Sequence, residues 1–229
     1  MNKKRQIFAI GGGGFGGLTR DLKLEEYLVR QAEKENPKVC FLAQASAEDK
    51  QYVAKFHETF TALQAIPSDF SLFGRVKNNW EEHLLAQNII YVGGGNTRSM
   101  LALWHEWGVD TVLKTAYEKG IILAGVSAGA ICWFEECVTD SVWPLGVISG
   151  LGFLSGSCCP HYDSEPERRP TFLKKLGQGE IISGLALEDN TAAHFIEGKI
   201  FQVVANKNGK NAYTVSRTGE EILPITYLG

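Results

Sequence analysis

No surplus of basic residues marks this chain: 23 Lys and Arg against 26 Asp and Glu leave a formal net charge of −3. Long-range attraction for nucleic acid or an anionic membrane surface is therefore missing, and a nucleic-acid-binding role is not expected. Long apolar runs are also lacking. The stretch from Ile7 to Ile10 behind the basic start Met1-Asn2-Lys3-Lys4-Arg5 meets glycines at once, too early for a signal-peptide core, and no later segment reaches the length of a membrane span. Cysteine is present in odd number and without regular spacing (Cys40, Cys132, Cys137, Cys158, Cys159), so neither a disulfide framework nor a zinc pattern follows. Reduced thiols and a cytoplasmic location are the plain expectation, with a redox role for the adjacent pair Cys158-Cys159 the lesser alternative. No repeat, low-complexity tract or long linker divides the 229 residues, which argues for one domain.

What is there alternates. Short, nearly charge-free runs at 6–10, 39–42, 88–92 and 120–126 read as strands buried on both faces. Between them, segments 22–35, 49–65, 97–107 and 110–119 have helical spacing. This β-α-β-α order predicts an α/β fold with a mostly parallel central sheet and helices on both faces. After about Ile181, strand-like runs at 194–196, 200–204, 212–215 and 221–225 are separated by Glu197-Gly198, Asn208-Gly209 and Thr218-Gly219. These are hairpin signals and predict an antiparallel C-terminal extension.

Three glycine-rich turns follow predicted strands. Gly125-Val126-Ser127-Ala128-Gly129 matches GxSxG, in which small flanking residues let the chain turn from strand into helix with the serine at the apex. The pentapeptide alone is common at this glycine content; the preceding Ile121-Ile122-Leu123-Ala124 and the helix expected from Ala128 to Phe134 give it its context. Tyr91-Val92-Gly93-Gly94-Gly95-Asn96-Thr97 also ends a strand and opens a helix, with Asn96 or Thr97 able to cap it. In a parallel sheet both turns fall at the ligand-binding edge. Backbone amides of Gly94 or Gly95, with that of Ala128, can then converge as an oxyanion hole, although glycines alone fit a ligand-free turn equally well. The third turn, Gly11 to Gly17, contains GxGxxG at Gly11, Gly13 and Gly16, but the strand at 39–42 runs into Ala43-Gln44-Ala45-Ser46 without the acidic residue a dinucleotide requires. A glycine-rich rim of the same cleft explains it at least as well, and no cofactor or metal is expected.

A serine nucleophile needs a base. Of five histidines, His57, His83 and His105 lie in charge-rich helical stretches and His194 in a predicted strand. His161, in Cys158-Cys159-Pro160-His161-Tyr162-Asp163, has the loop setting that suits a catalytic group, which favours it without eliminating the others.

With these motifs in view, the chain resembles peptidase E, the aspartyl dipeptidase family of serine peptidases that also includes cyanophycinase. The likeness runs from the first glycine-rich turn to about Gly198 and is most specific at Gly93–Thr97, Gly125–Ala130 and Pro160-His161-Tyr162. The resemblance implies a fold like that of class I glutamine amidotransferase domains, with Ser127 as nucleophile, His161 as base, and the Gly94 and Ala128 amides as oxyanion donors. It further implies an acid behind the histidine: Asp189, in Leu187-Glu188-Asp189-Asn190-Thr191, is preferred over Asp140, 13 residues after Ser127. Gly95, Asn96 and Thr97 would border the substrate. Arg169, in the pair Arg168-Arg169, would fork onto the carboxylate of an N-terminal aspartate, unless it merely begins a helix. A short peptide is thus the implied partner, and a homodimer is left open. The rival reading is a noncatalytic metabolite-binding or regulatory protein on the same scaffold, distinguishable by whether His161 reaches Ser127.

Overall fold

The structure is a computed structural model and describes residues 4–16 and 21–229. Residues 1–3 of the basic N-terminal run and Gly17 of the first glycine cluster lie outside the described residues. The first half of the chain runs β1 (Gln6–Ile10), α1 (Lys23–Arg30), β2 (Lys38–Leu42), α2 (Lys50–Ala62), β3 (Ile66–Phe70), α3 (Trp80–Leu85), β4 (Ile89–Val92), α4 (Thr97–Trp107), α5 (Val109–Glu118) and β5 (Ile122–Val126). The second half is strand-rich: α6 (Ala128–Ile131), β6 (Phe134–Thr139), β7 (Gly146–Ser149), β8 (Leu154–Cys159), α7 (Arg168–Gln178), β9 (Gly184–Leu187), β10 (Thr191–Ile196), β11 (Lys199–Ala205), β12 (Ala212–Ser216), β13 (Gly219–Ile222) and β14 (Ile225–Tyr227).

The predicted α/β pattern appears as an eight-stranded sheet ordered β14-β11-β10-β1-β5-β4-β2-β3, parallel from β1 through β3. Its central strands β1, β2, β4 and β5 carry unbroken runs of small and apolar residues, Ile7–Ile10, Val39–Leu42, Ile89–Val92 and Ile122–Val126, because both faces are covered. Phe8, Ile10, Phe41 and Tyr91 pack with Leu24 and Leu28 of α1 and Phe56 and Phe60 of α2. The alternate residues Ile7, Ala9, Leu42, Ile90 and Val92 pack with Met100 and Trp104 of α4 and Leu113 of α5. Capping fixes where the helices begin: Asp49 accepts from the Tyr52 amide at 2.8 Å and Asn96 from the Ser99 amide at 2.9 Å. Helix α1 ends at Arg30, before the predicted Glu35, because the chain turns at Glu33 and Asn36, which have positive φ ahead of Pro37. Strand β3 gave no signal in the sequence. It is an edge strand, Ile-Pro-Ser-Asp-Phe, with only Phe70 buried, and an edge tolerates the proline.

The main departure is a second, six-stranded sheet, β13-β12-β9-β8-β6-β7. One face, with Phe134, Cys137, Leu154, Cys158 and Leu185, joins the core shared with the main sheet. The other, with Val138, Cys159, Ala186 and Tyr213, is covered by Phe172 and Leu176 of α7. The C-terminal strands therefore do not form one extension. β10 and β11 turn at Glu197-Gly198 and widen the main sheet, β12 and β13 widen the second, and β14 returns to the first. The segment with Asn208-Gly209 crosses between sheets instead of closing a hairpin. All five cysteines are free and buried, and Cys158 and Cys159 enter different clusters. Burial pushes the Cys159 thiol up to about 12, which removes the thiolate that redox chemistry requires. Among the described residues, no helix is long and apolar enough to cross a membrane.

Candidate active site

The turn after β5 is an elbow held by contact with its neighbours. Ser127 has φ 56° and ψ −114°, a conformation disfavoured for a residue with a Cβ. Its amide donates to the Ile10 carbonyl at 3.0 Å, and its carbonyl accepts from the Ala130 and Ile131 amides, starting α6. The flanking glycines are required by proximity. A Cβ on Gly129 would lie 2.2 Å from the Val92 carbonyl oxygen, and one on Gly125 would lie 2.4 Å from the Gly129 oxygen. GxSxG is thus the sequence that lets α6 sit directly on β4 and β5. The helix is one turn, Ala128–Ile131, shorter than expected, because Phe134 already begins β6.

His161 and Asp189 arrive from the second sheet. Strands β8 and β9 are parallel neighbours, with Cys159 opposite Ala186, so the residues just past their ends emerge side by side. His161 has φ 52°; its amide bonds to the Gly11 carbonyl at 3.3 Å, and the Tyr162 amide to the Leu187 carbonyl at 3.1 Å. The imidazole bridges two groups: Nε2 lies 2.8 Å from Ser127 Oγ, and Nδ1 lies 2.7 Å from Asp189 Oδ1. Partial burial pushes the Asp189 carboxyl up, but hydrogen bonds from His161 and Ser164 and the charge of Lys210 outweigh it and hold the group below its ordinary value. The Asp189 amide donates to Asp163 Oδ1 at 2.9 Å, and Lys210 pairs with the other oxygen of Asp163. An ionised Asp189 only accepts, so Nδ1 carries the proton and Nε2 is left to accept from the serine hydroxyl.

The rival acid, Asp140, is elsewhere. It lies 3.4 Å from Arg168 Nη2 at the wall of an open cleft of about 260 Å³ that is lined by Gly95, Asn96, Ser127, Asp140, Ser141, Glu165 and Arg168. Gly94 abuts Ser127, since a Cβ there would meet Ser127 Cβ at 3.3 Å. Its amide is turned toward the Tyr52 hydroxyl at 3.4 Å, a long contact. Ala128 is the first residue of α6, where a backbone N–H has no acceptor in its own helix. The Asn96 side chain caps α4 and donates to the Ser141 carbonyl at 3.3 Å, while Thr97 is buried with its hydroxyl near that of Thr139. Arg169 does not line the cleft: it pairs with Glu220 at 2.6 Å and lies over the Tyr162 and Tyr213 rings. Its neighbour Arg168 does, which is a correction to the expected Arg169 contact. The cause is helical geometry, since consecutive residues of α7 point about 100° apart.

The remaining histidines take no part. His57 pairs with Asp69, His105 with Asp110, His83 contacts Ser68 and Cys40, and His194 is buried between Tyr27 and Gln6. Sequence reasoning missed Tyr52, Glu165 and the part played by Gly12. A Cβ on Gly12 would fall 1.9 Å from Asp189 Oδ1 and 2.5 Å from His161 Nδ1, so this glycine is the lid of the His-Asp pair. The described glycines of the first cluster pack on protein groups, Gly11 on Leu187 and Glu188, Gly13 on Asn190, Gly14 on Glu25 and Gly16 on Tyr52.

The model of Peptidase family S51 matches residues 7–203. The chain is 44% identical to the uncharacterized peptidase YgaJ of Bacillus subtilis (strain 168) over 229 residues, covering 98% of this chain and all of that protein. The crystal structure of a peptidase from an acI-B1 Actinobacterium superimposes with a TM-score of 0.72 at 16% identity, over 98% of this chain and 96% of that one. A Listeria monocytogenes EGD-e protein assigned to peptidase E gives 0.63 at 19% identity, over 87% and 96%. At these identities the structural matches speak for the fold, and the sequence matches for descent; with the family match spanning most of the chain, the protein belongs to Peptidase family S51.

Proposed function

We propose that this protein is a serine peptidase of short peptides in which Ser127 is the nucleophile, His161 the general base and acid, and Asp189 the orienting carboxylate. The observation that carries the reading is the unbroken hydrogen-bond chain from Asp189 through His161 to Ser127, with the serine on a strained elbow. Ser127 Oγ attacks the peptide carbonyl while its proton passes to His161 Nε2; the imidazolium then protonates the leaving amine as the C–N bond breaks. Water, deprotonated by the same nitrogen, releases the acyl group. The oxyanion is held by the Ala128 amide and by that of Gly94, which exchanges its long contact with Tyr52 for the developing charge. A noncatalytic binding role would leave the 2.8 Å contact of His161 with Ser127 without purpose.

A fluorophosphonate that labels wild type at one site and leaves Ser127→Ala unlabelled is the expected result. His161→Ala and Asp189→Asn should slow that labelling by several orders of magnitude and about 10⁴-fold, respectively, with thermal stability retained. Labelling of Ser127→Ala at the wild-type rate would remove Ser127 from the mechanism.

A further inference from the structure

Carboxylates gathered at a half-buried point repel one another unless a cation stands among them. Beyond the ends of β8 and β9 three acids meet: Asp163, two residues after His161, and the neighbours Glu188 and Asp189. The Glu188 carboxylate is buried and accepts from the Asn211 amide and the Tyr213 hydroxyl, both at 2.9 Å, while its own amide donates to the Asn211 carbonyl at 3.2 Å. Asp163 joins two loops: Oδ1 accepts from the Asp189 amide at 2.9 Å, and Oδ2 pairs with Lys210. Lys210 and Asn211 lie on the segment that crosses from β11 to β12, the one whose Asn208-Gly209 closes no hairpin. There Gly209 turns the chain with φ 77°, and the Lys210 carbonyl accepts from the Tyr227 hydroxyl of β14 at 3.4 Å. Partial burial works against the Lys210 ammonium, yet its bond to Asp163 and the charges of Asp163, Glu188 and Asp189 outweigh it and hold the group above its ordinary value. The other charged groups nearby are paired elsewhere, Arg168 with Glu165 and Asp140 and Arg169 with Glu220, and the Gly11–Gly13 turn against the imidazole brings no charge.

Resting on His161 as base and Asp189 as its orienting acid, we propose that Asp163 and Lys210 are positioning residues for that pair. Asp163 ties the backbone of Asp189 to the loop of His161, and Lys210 cancels the negative charge that this tie brings beside the imidazole. Both act through Asp189. An uncompensated Asp163 would favour the imidazolium, whose Nε2 already carries a proton and cannot accept one from the serine. The crossing segment, which takes no direct part in the reaction, thereby sets the pH at which the histidine becomes a base.

The test follows modification of Ser127 in the full-length protein by an uncharged fluorophosphonate from about pH 5 to 9, read by intact mass beside a thermal melt. The Oγ–P bond forms, fluoride leaves and the serine proton goes to His161, so the rate should climb along one limb as the imidazole loses its proton. Lys210→Met leaves Asp163 uncompensated and should move the limb up by about 0.5 in pH. Asp163→Asn keeps an oxygen for the Asp189 amide but leaves Lys210 uncompensated, and should move the limb down by about as much. The double variant Asp163→Asn/Lys210→Met should return it to within about 0.2 of wild type. Asp163→Ala, which removes the tie as well as the charge, should lower the plateau about tenfold further than Asp163→Asn. Limbs that coincide in wild type and both single variants, or that move in the same direction, overturn the proposal while leaving Ser127 as nucleophile. Asp163→Asn preserves side-chain volume, so the direction of its limb decides alone should Lys210→Met fail to fold. A folded wild-type protein unmodified at Ser127 at every pH defeats the peptidase mechanism and this proposal with it.

Discussion

Replacing Gly12 by alanine adds a single methyl group and strikes the proposed machinery without replacing any of its members. The added carbon would stand 1.9 Å from Asp189 Oδ1, 2.5 Å from His161 Nδ1 and 2.7 Å from His161 Cε1. Restoring even a 3.0 Å contact with the carboxylate requires a movement of about 1.1 Å (3.0 − 1.9). The loop cannot supply it cheaply, because the Gly11 amide is bonded to the Thr191 carbonyl, the Gly11 carbonyl to the His161 amide, and the Gly12 carbonyl to the Asn190 amide at 2.8 Å. Gly12 does not have positive φ, so alanine brings no backbone penalty of its own. The displacement therefore falls on the His-Asp pair. Misplacement of a catalytic group by about 1 Å costs on the order of 10² in rate, and full loss of the orienting carboxylate about 10⁴, which brackets the expected fall in kcat or labelling rate. Overpacking should cost about 1–3 kcal/mol, within the stability of a domain of this size. The assay is labelling of Ser127 by an uncharged fluorophosphonate at fixed concentration, alongside a thermal melt. Gly177→Ala, on α7 where an added Cβ meets nothing within 4 Å, is the control and should label like wild type. A folded Gly12→Ala protein that labels within threefold of wild type would refute the reasoning.

Two further outcomes concern stability. Gly129→Ala drives a methyl group to 2.2 Å from the Val92 carbonyl oxygen, where only backbone can yield; the expected loss exceeds about 3 kcal/mol, read as a Tm fall of about 6–12 °C, and a shift under about 2 °C would contradict it. Glu25 is buried beneath the first glycine turn and accepts from the Phe15 amide at 2.8 Å; burial raises its carboxyl from 4.5 to about 7. The folded state then binds this proton more tightly than the unfolded chain, so the group's contribution is greatest below about pH 4.5 and is lost as pH climbs through 7, by about 3 kcal/mol. Glu25→Gln should flatten the decline of stability between pH 5 and 8, and a variant with the wild-type slope would show that another group is responsible.

The strands β1, β2, β4 and β5 were legible in the sequence because burial on both faces demands unbroken apolar runs, and the elbow because close packing of α6 on β4 demands glycine. His161 stood out as a loop residue, while Asp189 entered only through the family resemblance, with Asp140 as its rival. The second sheet was not. Its strands are short and mixed, as in Leu-Ser-Gly-Ser-Cys-Cys for β8, and their apolar faces are set by which core they share. That sheet decided the rest: its parallel strands β8 and β9 end side by side, which brings residues 161 and 189 together within reach of Ser127, while Asp140 pairs with Arg168. It also left Arg168 facing the cleft while its neighbour turned to Glu220. Local sequence thus specified the turns and the placing of Ser127 at an elbow, because those depend on contacts a few residues apart. The partners of Ser127 and the charge around it depend on packing between segments far apart in the chain, and only the tertiary structure decided them.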